Sequence, residues 1–166
     1  VLRLDFSKGI PRAHRTLVVV PTMLISEPSV AAIVDALEVR YLANLDDNLL
    51  FALLTDFPDA PAETLPGDEH LVELARAGIE RLNREHRPGQ ASAFFLLHRP
   101  RVYDEPEGVW MGQERKRGKL GALNRLLRSG RVDGFSTVVG DLSELVSVRY
   151  VITLDTDTML PRDAGR

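Results

Sequence analysis

At 166 residues, 44% hydrophobic and 27% charged, the chain has the apolar content for one domain over 1–166 and too little length for two. Its net charge of −3 excludes a broadly basic, phosphate-neutralising surface, so nucleic acid is not an expected partner. The absence of cysteine excludes disulfides and thiolate metal ligands, and no apolar run approaches the roughly 20 residues of a membrane span.

The N-terminus, Val1-Leu2-Arg3-Leu4-Asp5, has neither an initiator Met nor a signal-peptide pattern. Thr16-Leu17-Val18-Val19-Val20 is a continuous apolar run closed by Pro21, which predicts a strand buried on both faces, as in a parallel sheet. Residues 28–44 follow as a helix: Ser26 suits the N-cap, Pro28 the first turn, and Val30, Ile33, Val34, Leu37 and Tyr41 recur at helical spacing. A second strand is predicted over 49–55, ended by the proline-bearing loop from Asp56 to Pro61. Asp68 to His86 reads as a helix with Leu71, Leu74, Ile79 and Leu82 on its apolar face.

A third strand is predicted over 93–97, and the Pro- and Gly-bearing stretch 100–114 reads as a long loop. Helical spacing returns over 118–127, where Leu120, Leu123, Leu126 and Leu127 form the stripe expected to be buried. Residues 130–134 are a break, 135–139 are a short extra strand or an ordered loop, and 150–154 are the last strand. Alternation of strand and helix predicts an α/β fold with a parallel sheet and right-handed crossovers. Ligands of such sheets bind beyond the carboxyl ends of the strands. Those ends carry Pro21-Thr22, Thr55-Asp56, His98-Arg99 and Asp155-Thr156-Asp157.

Two carboxylates at a strand end suit a hard divalent cation, Mg²⁺ or Mn²⁺, which takes oxygen ligands and leaves positions open for phosphates. Asp155 and Asp157 are therefore the candidate metal residues, against the plainer reading of a polar strand end. Asp56 sits on the same sheet edge, where a carboxylate can accept from a uracil N–H or a ribose hydroxyl; Asp59 is read as a turn or cap residue. Arg115-Lys116-Arg117-Gly118-Lys119 sets cations at a helix start, where the dipole disfavours them, so an anion such as a diphosphate is expected nearby, against the plainer reading of a solvated basic turn. The spacing is not that of a P-loop. His98 is left outside the chemistry, and Trp110 is read first as an anchor for its loop and second as a stacking surface.

Gly118-Lys119-Leu120-Gly121-Ala122-Leu123-Asn124, followed in order by Val151-Ile152-Thr153-Leu154-Asp155-Thr156-Asp157-Thr158, resembles the Gly-Lys and Asp-x-Asp blocks of processive family 2 glycosyltransferases. From Leu4 to Ala164 the chain is more closely similar to the glycosyltransferase domain of bacterial cyclic β-1,2-glucan synthases. Arg15 to Met23, Ala52 to Ala60, Gly108 to Gly112 and Glu114 to Lys119 carry that likeness.

The resemblance implies a three-layer, Rossmann-like GT-A sheet, truncated after the Asp-x-Asp. It implies UDP-glucose as donor, a β-1,2-glucan acceptor, and a parent membrane protein whose remainder is a partner of this segment. That parent would work at the cytoplasmic face of the bacterial inner membrane. It also implies that Asp155 and Asp157 hold the metal and donor diphosphate and that Asp56 contacts uridine. Pro21 and Thr22 would line that pocket, with Lys119 near the donor. The catalytic base is expected downstream of Arg166. Two other readings stand beside it. One is a nucleotide-binding fragment without catalysis. The other is a haloacid-dehalogenase-like phosphatase, disfavoured by Met159 two places after the second Asp and by a motif lying late in the chain.

Overall fold

The computed structural model describes residues 7–157; Thr158 and Met159, and the outer ends of the likeness from Leu4 to Ala164, lie outside them. The centre of the sheet is β2 (Leu49–Asp56), buried at every position. Its sequence, LLFALLTD, has no polar alternation because both faces are covered and both edges paired. On one side it pairs in parallel with β1 (Thr16–Met23), from Thr16↔Leu49 to Met23↔Asp56. On the other it pairs in parallel with β3 (Phe94–His98), from Phe51↔Phe94 to Thr55↔His98.

The helices follow from local signals. Ser26 caps α1 (Glu27–Ala43) in a reciprocal pair with Ser29, and Pro28 occupies its first turn. The next helix, α2 (Asp68–His86), has the predicted bounds and buries Ala75, Ile79 and Leu82. Tyr41 of α1 packs its ring against Phe51, Phe94 and His86, which joins both helices to one face of the sheet. A right-handed return from β3 puts the next helix on the opposite face.

Residues 100–114, expected to be a loop, contain a hairpin of β4 (Val102–Asp104) and β5 (Val109–Met111). The polar residues that suggested a loop form its turn: Asp104 accepts from the N–H groups of Glu107 and Gly108, and Gly108 has φ 66. Three-residue strands leave no periodicity to detect. Next, α3 (Arg115–Ser129) starts three residues before its expected position, so Arg115, Lys116 and Arg117 form its first turn. It buries Lys119, Ala122, Leu123 and Leu126, while Leu120 and Leu127 are only partly covered.

The sheet is not wholly parallel. Gly134 lies against Ala122 as the chain folds back along α3, returning it to the C-terminal end of β3. From there β6 (Thr137–Val139) runs antiparallel to β3. The last strand, β7 (Tyr150–Thr153), lies parallel to β1 from Thr16↔Tyr150 to Val19↔Thr153. The resulting order, β6-β3-β2-β1-β7, is an α/β, mostly parallel sheet flanked by helices.

Pro21 does not close β1, which continues to Met23. Residues alternate sides along a strand, and Val19 already faces β7, accepting from Leu154 N–H at 2.9 Å. Pro21 therefore turns its missing N–H toward a side where β7 has stopped pairing, and no ladder bond is lost.

Candidate functional site

Because β1 and β2 outrun β7, their C-terminal ends leave a recess beside the first turns of α3. A cavity of about 410 Å³ fills it, lined among others by Pro21, Thr22, Asp56, Lys116, Lys119 and Thr156. This is the sheet edge where an open α/β fold places its ligands.

The floor of the cavity is a buried ionic network. Asp56 ends the central strand, with its Oδ1 2.7 Å from Lys119 Nζ and its Oδ2 accepting from Arg99 at 3.1 Å. These side chains are 4% (Asp56), 6% (Lys119) and 8% (Arg99) exposed, so all three charges are withdrawn from water. Lys119 also donates to the carbonyl of Thr22 at 2.6 Å, joining α3 to the end of β1. Arg99 donates to the carbonyls of Gln113 and Arg115, fixing the entry to α3. Burial pulls the Lys119 ammonium below its ordinary value; Asp56 opposes this through hydrogen bonding and charge, while Arg99 and Lys116 add to the lowering.

Two glycines make the network possible. A Cβ on Gly112 would lie 2.1 Å from Asp56 Oδ2, and one on Gly118 would lie 2.0 Å from the carbonyl oxygen of Gln113. Beneath the floor, Thr55 Oγ1 and His98 Nδ1 are hydrogen-bonded at 2.8 Å. Burial lowers the His98 pKa to about 4; Asp68 raises it, and Arg101, Lys119 and Arg99 lower it further. His98 is thus held neutral near pH 7.

The rim differs in kind. Asp155, just past β7, pairs with Lys116 of α3, and these side chains are 63% and 52% exposed. Arg115 pairs with Asp59 at 2.9 Å and Glu107 at 3.3 Å. Asp59, read as a turn or cap residue, therefore stands in the wall of the cavity as an ion-pair partner. Three cations (Arg115, Lys116, Lys119) and two carboxylates (Asp56, Asp59) line the space. Around that lining Arg99 stands behind Asp56, while Glu107 and Asp155 pair with Arg115 and Lys116, so cations and carboxylates are matched overall.

Buried Arg40 of α1 donates to the carbonyl of Thr156 at 3.1 Å and ties down the segment after β7. Asp157 is exposed and is not among the cavity-lining residues. Trp110 has the anchoring role: its N–H and carbonyl each bond Ala60 at 2.9 Å, and its ring meets Tyr103.

The chemistry of Asp155 fits a divalent metal. Its carboxylate is open to solvent and already partners a cation, and Mg²⁺ needs only one or two carboxylates when phosphates and water complete its sphere. Elsewhere, Glu38, Glu85 and His86 cluster where α2 leads into β3, but Arg81 lies 3.8 Å from Glu38 and 2.9 Å from Glu85 and supplies positive charge there.

Pro21, Thr22, Asp56 and Lys119 thus meet at one cavity, and Asp155 joins them through Lys116. Arg99, Arg40, Gly112 and Gly118 escaped the sequence reading as site residues. Arg99 carried a signal in its place beside His98 at a strand end, and Gly112 and Gly118 stood in stretches that carry the likeness; Arg40 carried none.

No family model matches the chain. Among curated proteins it is 47% identical over 160 residues to "Cyclic beta-(1,2)-glucan synthase NdvB" from Rhizobium meliloti (strain 1021). The chain is similar to a segment of a glucan synthase. The match takes in 96% of this chain and 6% of the relative, so the chain spans a small part of the curated protein it matches.

Proposed function

We propose that this chain is the donor- and metal-binding half of an inverting glycosyltransferase that passes glucose from UDP-glucose to a growing β-1,2-glucan. The observation that carries the reading is the cavity at the strand ends, lined by Arg115, Lys116 and Lys119, floored by Asp56, Lys119 and Arg99 and rimmed by Asp155. The similarity to a cyclic glucan synthase selects the sugar chemistry from the many that such an edge could serve.

In this reading Pro21 and Thr22 wall the nucleoside pocket, and Asp56 orients the uridine. Lys119 fixes Asp56 and adds positive potential. Asp155 and Asp157 would hold Mg²⁺ or Mn²⁺, which supplies Lewis-acid stabilisation of the departing diphosphate. An acceptor 2-hydroxyl oxygen bonds to the anomeric carbon as the bond from that carbon to the UDP oxygen breaks. UDP leaves with the bonding pair, and a carboxylate base takes the hydroxyl proton. An α-linked donor thereby gives a β-linked product. No helix among the described residues is long and apolar enough to cross a membrane. As part of this proposal, the parent protein works at the cytoplasmic face of an inner membrane.

The test is a thermal-shift titration with UDP, with and without Mn²⁺. A ligand that binds only the folded state raises the melting temperature by mass action. We expect a rise with UDP that needs Mn²⁺ and is absent in Asp155→Ala. A folded protein that shows no rise at millimolar UDP with Mn²⁺ overturns the donor-site assignment.

A further inference from the structure

Each cation lining the cavity has a partner, and the partners differ in what a ligand would do to them. Lys119 Nζ is held by the Asp56 carboxylate and the Thr22 carbonyl, with both side chains buried. Arg115 is shared between Asp59 and Glu107. Lys116 pairs with Asp155, the carboxylate that the proposed function gives to a divalent cation. A metal arriving at Asp155 competes with Lys116 and leaves the other two cations undisturbed.

Resting on that reading, we propose that Lys116 is the residue that binds the donor diphosphate, and that its ion pair with Asp155 keeps the ammonium at the metal position until metal and nucleotide arrive together. Three features of the site support this. The pair is open to solvent, with side chains 52% and 63% exposed, so breaking it costs little. Lys116 lies one helical turn before Lys119 and lines the same cavity, so its flexible stem reaches the recess without movement of α3. The first turn of α3 carries no acidic residue and presents a positive helix end, and the cavity carboxylates Asp56 and Asp59 are already paired with Lys119 and Arg115, so an anion is the fitting partner for a released ammonium. Lys119 then acts as a positioning residue for Asp56, and diphosphate recognition passes to its neighbour one turn earlier.

The experiment compares wild type with Lys116→Met, an exposed helical substitution that keeps the stem and removes the charge. Mn²⁺ affinity is measured by electron paramagnetic resonance without nucleotide, and affinities for UDP and for uridine are measured by calorimetry at saturating Mn²⁺. The variant should bind Mn²⁺ alone several-fold more tightly, because Asp155 no longer has a competing cation. It should bind UDP roughly tenfold more weakly, the loss of one charged contact, with uridine unchanged. Lys116→Arg should restore most of the UDP affinity. Unchanged Mn²⁺ and UDP affinities in the variant, in a protein whose wild type binds UDP with Mn²⁺, overturn the role of Lys116 and leave the donor site standing. Tighter Mn²⁺ with unchanged UDP overturns the diphosphate contact. If wild type binds no UDP at all, the donor reading fails and this inference fails with it.

Discussion

Asp56 and Asp155 end two strands on the same edge of the sheet, yet they rest on different foundations. Asp56 closes a strand buried at all eight positions, and both of its oxygens are engaged by buried cations. Asp155 follows an edge strand whose Tyr150 and Val151 are 52% and 43% exposed, and its ion-pair partner, Lys116, reaches through solvent. A carboxylate locked on both sides is suited to holding a pocket in shape. One whose partner among the described residues is exposed is suited to taking up and releasing a cation. The site thus pairs a fixed floor with an exchangeable rim.

The largest effect should come from breaking the floor. Asp56→Ala leaves Lys119 and Arg99 buried without their shared counter-charge, and removal of one member of such a group costs about 3–5 kcal/mol. Urea unfolding should show that loss as a lower midpoint, with the α3 end of the sheet affected first in hydrogen exchange. A cost below about 1 kcal/mol would mean that Asp56 is no more a foundation than Asp155.

The floor should also carry a pH signature. His98 sits under it with a folded pKa of about 4 against an ordinary 6.5. Between those values the unfolded chain binds a proton that the folded chain refuses, so stability rises with pH. The contribution is complete above about pH 6.5 and is lost progressively as the pH falls to about 4, a change of about 3 kcal/mol. His98→Gln should flatten the stability profile over that window by about one proton. If the two profiles run parallel, His98 titrates normally and its burial does not govern it.

The contrast between floor and rim also explains what could be seen in the sequence. Central strands announce themselves: LLFALLTD and TLVVV have no polar interruption because nothing on them meets water. Ser26 with Pro28, and the helical stripe of α2, were equally visible because local chemistry decides them. The β4–β5 hairpin and the antiparallel β6 were not, since three-residue strands are set by tertiary hydrogen bonds. At the site, Asp56, Lys119 and Asp155 stood out by residue type and position. Their supports did not. Arg99 lies 43 positions from Asp56, and Arg40 lies 116 from Thr156. Nothing short-range encodes such pairs. Gly112 and Gly118 matter for what they lack, and their necessity appears only when Asp56 and Gln113 are brought against them.

The smallest effect on stability should be at the rim, and there it separates the two carboxylates most sharply. Asp155→Asn removes a charge from an exposed pair while keeping its size and polarity, so unfolding should shift by less than about 1 kcal/mol. Arg40 still holds the Thr156 carbonyl, so the segment after β7 keeps its position. Any loss of Mn²⁺-dependent UDP stabilisation in this variant therefore reports the missing carboxylate charge and not a displaced loop. A variant as stable as wild type that has lost the Mn²⁺ dependence places the exchangeable function at Asp155. If it keeps that dependence at full strength, the metal is held elsewhere, and the division into floor and rim would describe stability alone.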